Sequence, residues 1–254
     1  ESVRQSERTA ANQTPERAAY FGLMPPSISH EGYSARPAYS YWDDFWALRG
    51  FEDAVYLADA RGDGAGAARL GAQRDEFSAD LFASIAASSA RFGVNYIPGA
   101  ADLGDFDATS TTIAIAPAGQ QARLPQALLY ATFERYWTNF VARRDGTVAS
   151  SDYTPYELRV VGTFVRLGWR ARANEALEFF FRDQRPQAWN QWAEVVGRDM
   201  RAPRFVGDMP HGWVASDYLR SALDMFAYER AEDAAIVLAA GVPESWFAER
   251  GFAV

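Results

Sequence analysis

Apolar residues recur at helical spacing along almost the whole chain, and this regularity removes most folds from consideration. Leu48, Phe51 and Val55 step by three and then four residues, and Leu158, Val161 and Val165 repeat that step. Phe77, Leu81 and Ile85 step by four with Phe82 beside them, while Leu129, Phe133, Tyr136 and Phe140 form a longer series. Leu219, Leu223 and Phe226 close the pattern. Such a period is that of an amphipathic helix with one face in a core. Strict alternation is nearly absent until "AIVLAAGV" at 235–242, where a helix end and a first β-strand both fit. An all-α fold is therefore expected. With 254 residues, 48% of them hydrophobic, the chain is long enough for a substantial core. A helical domain is expected over 1–234, with 235–254 as its end or the start of a following β-domain.

Between the helical series lie long segments rich in Gly, Pro, Ser, Thr and Asp, at 22–41, 93–112, 145–156 and 184–212. Loops of that length in a compact helical domain are usually functional or disordered, and these carry too many aromatics for disorder. They are expected to meet at one end of the helical array. A net charge of −8 gives no footprint for nucleic acid or anionic lipid. No apolar run approaches the ~20 residues of a membrane span. Zero cysteines exclude disulfides, thiol catalysis and zinc–thiolate sites while leaving the compartment open. The histidines are His30 and His211 alone. A histidine-rich metal centre is not expected, no metal or cofactor is assigned, and acid–base chemistry falls to carboxylates. Aromatics make up 15% of the chain, with eight tryptophans, which suits sugar stacking as well as ordinary packing. The start at Glu1, without methionine or signal peptide, reads as a cut or processed one.

The carboxylates gather in the loops. "YSYWDDFW" at 39–46 sets Asp43 and Asp44 between Trp42 and Phe45. Like charges against aromatic walls are costly unless something binds or caps them, and one of the pair could cap the following helix. "SHEGYS" holds His30 and Glu31, either an acid or sugar-binding pair or a simple turn. "ADLGDFDATSTT" carries Asp102, Asp105 and Asp107. An EF-hand is excluded because its sixth and twelfth positions would be Asp107 and Ile113. Asp107 also fits the cap of a short helix over 109–115. In "SDYTPYE", Glu157 stands at a helix start, where a dipole partner is the plainer reading. "AWNQWAEVV" places Glu194 behind Trp189 and Trp192, and Trp213 opens a helix nineteen residues later. Tryptophans disfavour the charged form of a glutamate, which serves as a base only if water and hydrogen bonds hold it ionised.

These stretches resemble those of a known family. "YWDDFW" is similar to the Trp-Asp-Ser-aromatic signature of trehalases and processing α-glucosidases, which are six-hairpin, (α/α)6-toroid glycosidases. By that resemblance Trp42 and Asp43, with Tyr41 beside them, contact the sugar, and Asp44 stands where the family has serine. "GDFD" resembles the stretch holding the trehalase general acid, which makes Asp105 the acid, although the family's tryptophan is missing. "PHGW" looks like the closing Phe-Gly-Trp motif, with Trp213 as its tryptophan. Glu194 then sits at the family's distance for the catalytic base. "SHEGY", "YWDDFW", "DLGDFDATSTT" and "PHGW" together also resemble bacterial six-hairpin proteins grouped with the glycosidases, some attached to sugar-binding discoidin modules. The pattern yields seven or eight helices, fewer than six hairpins require, so a partial toroid lacking early hairpins is expected.

The function expected is glycoside hydrolysis of an oligo- or polysaccharide by inversion, with the two carboxyls about 6.5–9.5 Å apart. Glu194 is the base and Asp105 the acid, with Glu31 and Asp44 as substitutes for the acid. Trp42, Asp43, Tyr41, His30, Asp107, Glu157, Trp192, His211 and Trp213 are expected to contact substrate. The partner is a carbohydrate, with no nucleic acid and no membrane span, and further domains of the same protein are expected on either side. A periplasmic or secreted location goes with that, the cytoplasm staying open. The rivals are a non-catalytic carbohydrate-binding domain on the same scaffold and a polysaccharide lyase using Tyr153 or His211 with Arg204.

Overall fold

A computed structural model describes residues 1–28, 33–150, 152–199, 201 and 206–249. The helical periods hold, and strand is confined, among the described residues, to two antiparallel two-stranded sheets. Compact packing divides the chain into two units, Glu1–Tyr136 and Trp137–Val254. The all-α expectation is met; the 234/235 boundary instead falls inside a β-hairpin.

In the first unit, α1 is a single turn, Ser2–Gln5. Its Arg4 is buried and bonds Asp80 at 2.8 Å, Glu76 at 2.7 Å and the Gly22 carbonyl at 3.2 Å. The long helices α2 (Tyr41–Ala60) and α3 (Gly64–Phe92) pack on one another across the turn 61–63. Asp63 caps α3 by accepting the Gly66 N–H at 2.8 Å. Gly93, at φ 63°, ends it in the left-handed conformation that glycine takes without steric cost. The buried face of α2 is Tyr41, Asp44, Phe45 and Leu48. That of α3 combines Phe77, Leu81 and Ile85 with Ser78, Ser84, Ser88 and Ser89. These serines fasten loops to the helix: Ser88 donates to the Ala101 carbonyl at 3.1 Å, and Ser89 to that of Tyr96 at 3.2 Å. The short α4 (Ala108–Ile115) is buried over nearly its whole length, and α5 (Gln126–Arg144) runs on through the division between units.

In the second unit, β1 (Asp152–Tyr153) pairs with β2 (Val196–Gly197), joining the third long loop to the fourth. A 3-10 turn at Pro155–Glu157 leads into α6 (Leu158–Arg166), and α7 (Arg170–Arg182) packs back on α6. α8 spans Gly212–Phe226, and its chain continues directly into β3 (Ala227–Arg230), paired with β4 (Ala235–Leu238). Thus the "AIVL" stretch is the second strand of a hairpin. The last element is α9, Glu244–Glu249.

The periodicity reading fails on α8. Leu219 and Leu223 are 60% and 66% exposed, while Asp217, Ser221 and Asp224 form the buried row. That row meets α6. Arg159 donates to Asp217 at 2.6 Å, the Ser221 hydroxyl to the Leu158 carbonyl at 2.7 Å, and Arg166 to both Asp224 oxygens at 2.7 and 2.9 Å. Gly162 lies at the crossing, where an added Cβ would come within 3.1 Å of both Asp224 and Ser221. The interface is polar, paired and close.

Burial raises the pKa of Asp217, with the Arg159 charge and hydrogen bond opposing. Breaking such a buried pair from one side costs about 3–5 kcal/mol, whereas replacing both partners by apolar groups costs far less. Asp217→Ala should lose that amount in urea denaturation, and Arg159→Met combined with Asp217→Leu should recover most of it. A single-variant loss below about 1 kcal/mol would mean the pair does not hold α8 to α6.

Candidate functional site

Within each unit two of the long loops meet: the first with the second, and the third with the fourth. In the first unit, residues 39–41 run beside 99–101, with Tyr41 N–H donating to the Gly99 carbonyl at 3.0 Å and Ala101 N–H to that of Tyr39 at 2.8 Å. The aspartates of 102–107 serve this junction in different ways. Asp102 accepts the Tyr39 N–H at 3.0 Å. Asp107 caps α4 by accepting the Ser110 N–H at 3.1 Å. Asp105 accepts the Tyr33 hydroxyl at 2.7 Å on one oxygen and the Ala100 N–H at 3.0 Å on the other. Burial raises its pKa, against the Tyr33 and Ala100 bonds, and the Asp107 charge adds to the rise. Tyr33 is pushed up as well, by burial and then by the charges of Asp107 and Asp105, so it stays a donor. Glycine is required at 99, where a Cβ would stand 2.2 Å from the Tyr33 oxygen and 2.9 Å from Asp105.

The paired aspartates of "YWDDFW" have separate environments. Asp43 accepts the Ser27 hydroxyl at 2.6 Å, and Trp42, half-buried, packs edge-on to Trp46 at 6.0 Å between centroids. Asp44 is fully buried, and its Oδ1 accepts the Met24 N–H at 2.8 Å. Its Oδ2 is buried and has no hydrogen-bond partner among the described residues. Two expectations are corrected: Ser40, and neither aspartate, holds the N-cap position of α2, and the sealed Asp44 carboxyl cannot serve as a substitute acid on a substrate. Tyr41 is likewise core, its hydroxyl 2.8 Å from that of Ser84. His30, Glu31 and Arg204 lie outside the described residues.

In the second unit, Glu194 is part of a small polar group. Its N–H donates to the Asp208 carbonyl at 3.0 Å, and the Asp208 N–H returns a bond to its carboxylate at 3.1 Å. The Thr154 hydroxyl donates to the Glu194 carbonyl at 2.8 Å. The His211 N–H donates to the Trp192 carbonyl at 2.9 Å, which brings the imidazole to the same place. One ligand atom each from Glu194, Asp208 and His211 then lie within 4.8 Å of one another. The Tyr156 hydroxyl sits 2.6 Å from His211 Nε2, and Tyr156 also packs edge-on to Trp213, which is half exposed.

Other expected site residues are occupied elsewhere. Glu157 makes a two-pronged, buried pair with Arg143 at 2.9 and 2.7 Å. Trp192 is core, packed on Phe181 and Tyr218 at 5.5 and 5.6 Å, so its substrate-contact role is corrected. Tyr153 is buried against Phe179 and Phe180 with the Arg143 guanidinium over its ring, which removes it as an exposed lyase base. Arg198 bonds Asp183 at 2.8 Å. Sequence reading missed Tyr33, Tyr156 and Asp208; the turn that brings Asp208 to Glu194 shows only in the backbone, where Gly207 stands at φ 57°. Comparison with protein families, curated proteins and solved structures gives no match.

Asp44 supplies a pH test. Burial raises its folded pKa well above the ordinary value against the Met24 bond, and the Asp43 charge adds to the rise. From the unfolded value of about 4 up to that raised value, the folded state holds the extra proton, so the wild type loses stability as pH rises. Asp44→Asn keeps an acceptor for Met24 and does not titrate. Its unfolding free energy relative to wild type should therefore increase from pH 4 towards pH 8, and a difference flat across that range would contradict the buried, raised carboxyl.

Proposed function

We propose that this chain is a glycoside hydrolase domain built from toroid-type helical hairpins, acting on an oligo- or polysaccharide by inversion. The observation that carries this reading is Asp105, a half-buried carboxyl whose proton affinity is raised by its surroundings and which neutral donors hold in place. A general acid for glycosidic cleavage needs such a raised pKa. As it gives its proton to the leaving oxygen, the Tyr33 hydroxyl and Ala100 N–H stabilise the carboxylate left behind. Glu194 is assigned the water-activating role, supported by its hydrogen bond from a backbone N–H and by the spacing to Trp213. Trp42 and Asp43 are assigned to the sugar. The exposed Leu219 and Leu223 support a helical array that continues beyond the α6–α8 pair. A periplasmic or secreted setting goes with a polysaccharide substrate.

A second reading, a carbohydrate-binding domain without turnover, is favoured by the fact that both Asp105 oxygens already accept hydrogen bonds. Assay of reducing-sugar release from a panel of glycans distinguishes the two: affinity without product selects the binding domain. On a cleaved substrate, Asp105→Asn and Glu194→Gln should each lower turnover by about 10²–10⁴-fold, the general acid–base range. Azide should rescue only Glu194→Gln and yield the product of opposite anomeric configuration. Full activity in Glu194→Gln would take that residue out of the mechanism.

Trp42→Ala tests the sugar platform. Loss of a stacking ring should weaken glycan binding by about 1–3 kcal/mol. The half-buried position should cost less stability than the ~3–5 kcal/mol of a sealed tryptophan. Calorimetric titration with an oligosaccharide and urea denaturation read the two separately. Unchanged affinity in a folded variant would remove Trp42 from the site.

A further inference from the structure

We propose that Glu194, Asp208 and His211 form a binding site for a divalent transition-metal cation of the zinc or manganese type. Their donor atoms lie within 4.8 Å of one another, so a single ion could bond all three. The backbone builds this approach: Asp208 N–H holds the Glu194 carboxylate, the Glu194 N–H bond to the Asp208 carbonyl ties the two segments together, and the His211 backbone N–H bond to Trp192 holds the third residue beside them. Gly207 lets the turn close, since a Cβ there would stand 2.6 Å from a Glu194 carboxylate oxygen. Two carboxylates held this close repel unless a positive charge lies between them.

The imidazole makes this more than an acidic patch. The Tyr156 hydroxyl lies 2.6 Å from Nε2 and so orients the ring; in the tautomer that donates Nε2–H to Tyr156, Nδ1 carries the lone pair. A hydrogen bond on the distal nitrogen is what orients metal-bound histidine generally. Two carboxylates and one imidazole, without thiolate, suit zinc or manganese better than calcium or magnesium, which prefer oxygen alone. Three protein ligands leave positions for water, as in open rather than closed sites. A Glu194 oxygen on the ion leaves the second for water, so the cation and the hydrolase reading do not compete. The site does not rest on that reading, because heat of binding reports it whether or not the chain cleaves a glycan.

The test uses the full chain, stripped with chelator and titrated calorimetrically with zinc chloride and, separately, manganese chloride. One equivalent should bind, zinc more tightly than manganese. Asp208→Asn and His211→Gln should each weaken binding at least about tenfold, and Tyr156→Phe, which removes the hydroxyl beside Nε2, should weaken it by about tenfold or more. Asp208 is exposed, so its variant keeps the test open should His211→Gln fail to fold. Absence of binding, or binding unchanged in Asp208→Asn, would overturn the site.

Discussion

The seam between α6 and α8 governs the second unit. A buried interface would ordinarily be apolar, yet here two arginines on one helix each meet an aspartate on the other, both pairs seven residues apart along their helices. Seven residues is two helical turns, so both pairs fall on one line of contact. Ser221 on the Leu158 carbonyl and the bare Cα of Gly162 let the backbones approach between them. The consequence is positional. The seam fixes the start of α8, hence His211, and the start of α6, hence Tyr156 and Thr154. Glu194 is then held from Thr154 on one side and Asp208 on the other.

The first unit reaches the same end by another route. Its junction is backbone against backbone, 39–41 beside 99–101, with side chains filling the remaining bonds. The serine row of α3 matters because small side chains let loops lie against the helix while supplying donors for their carbonyls. Asp105 closes the arrangement by accepting from Tyr33 and Ala100, residues otherwise on separate segments. Its raised pKa is therefore a by-product of loop anchoring, and the same burial gives it the proton affinity of an acid.

Period and punctuation made the helices legible. The bounds of α4 and the opening of α8 follow from Asp107 and from Trp213 after Pro210–Gly212. Which face of a helix turns inward was not always legible, because hydrophobicity is a poor guide when charges are paired. On α8 the leucines point outward and the aspartates inward, and nothing in the sequence announces Arg159 and Arg166 as their partners. The same blindness affected the site. Glu157 reads as a dipole partner or a substrate contact at a loop–helix junction until Arg143, fourteen residues earlier, takes both its oxygens. Asp208 looked like an ordinary loop residue because its partners lie across a turn that only the backbone reveals.

Partnership, more than residue type, sorts the carboxylates of this molecule. Glu157, Asp217 and Asp224 face guanidinium groups and are buried with them, so their charge is committed to the fold. Burial would raise Asp183, but the Arg198 and Arg185 bonds and charges outweigh it and hold its pKa below the ordinary value. Asp105 and Glu194 instead accept from hydroxyl and backbone groups, which orient a carboxyl without neutralising it. A carboxyl held in that manner is oriented by neutral donors and not by a guanidinium of the fold. The adjacent aspartates of "YWDDFW" both accept from neutral donors and are separated by burial instead. One helical step of about 100° separates them. That step turns Asp44 into a sealed pocket against Met24 and leaves Asp43 on the Ser27 hydroxyl beside a half-buried tryptophan. Two identical side chains one residue apart thus acquire different environments from the rotation of the helix alone.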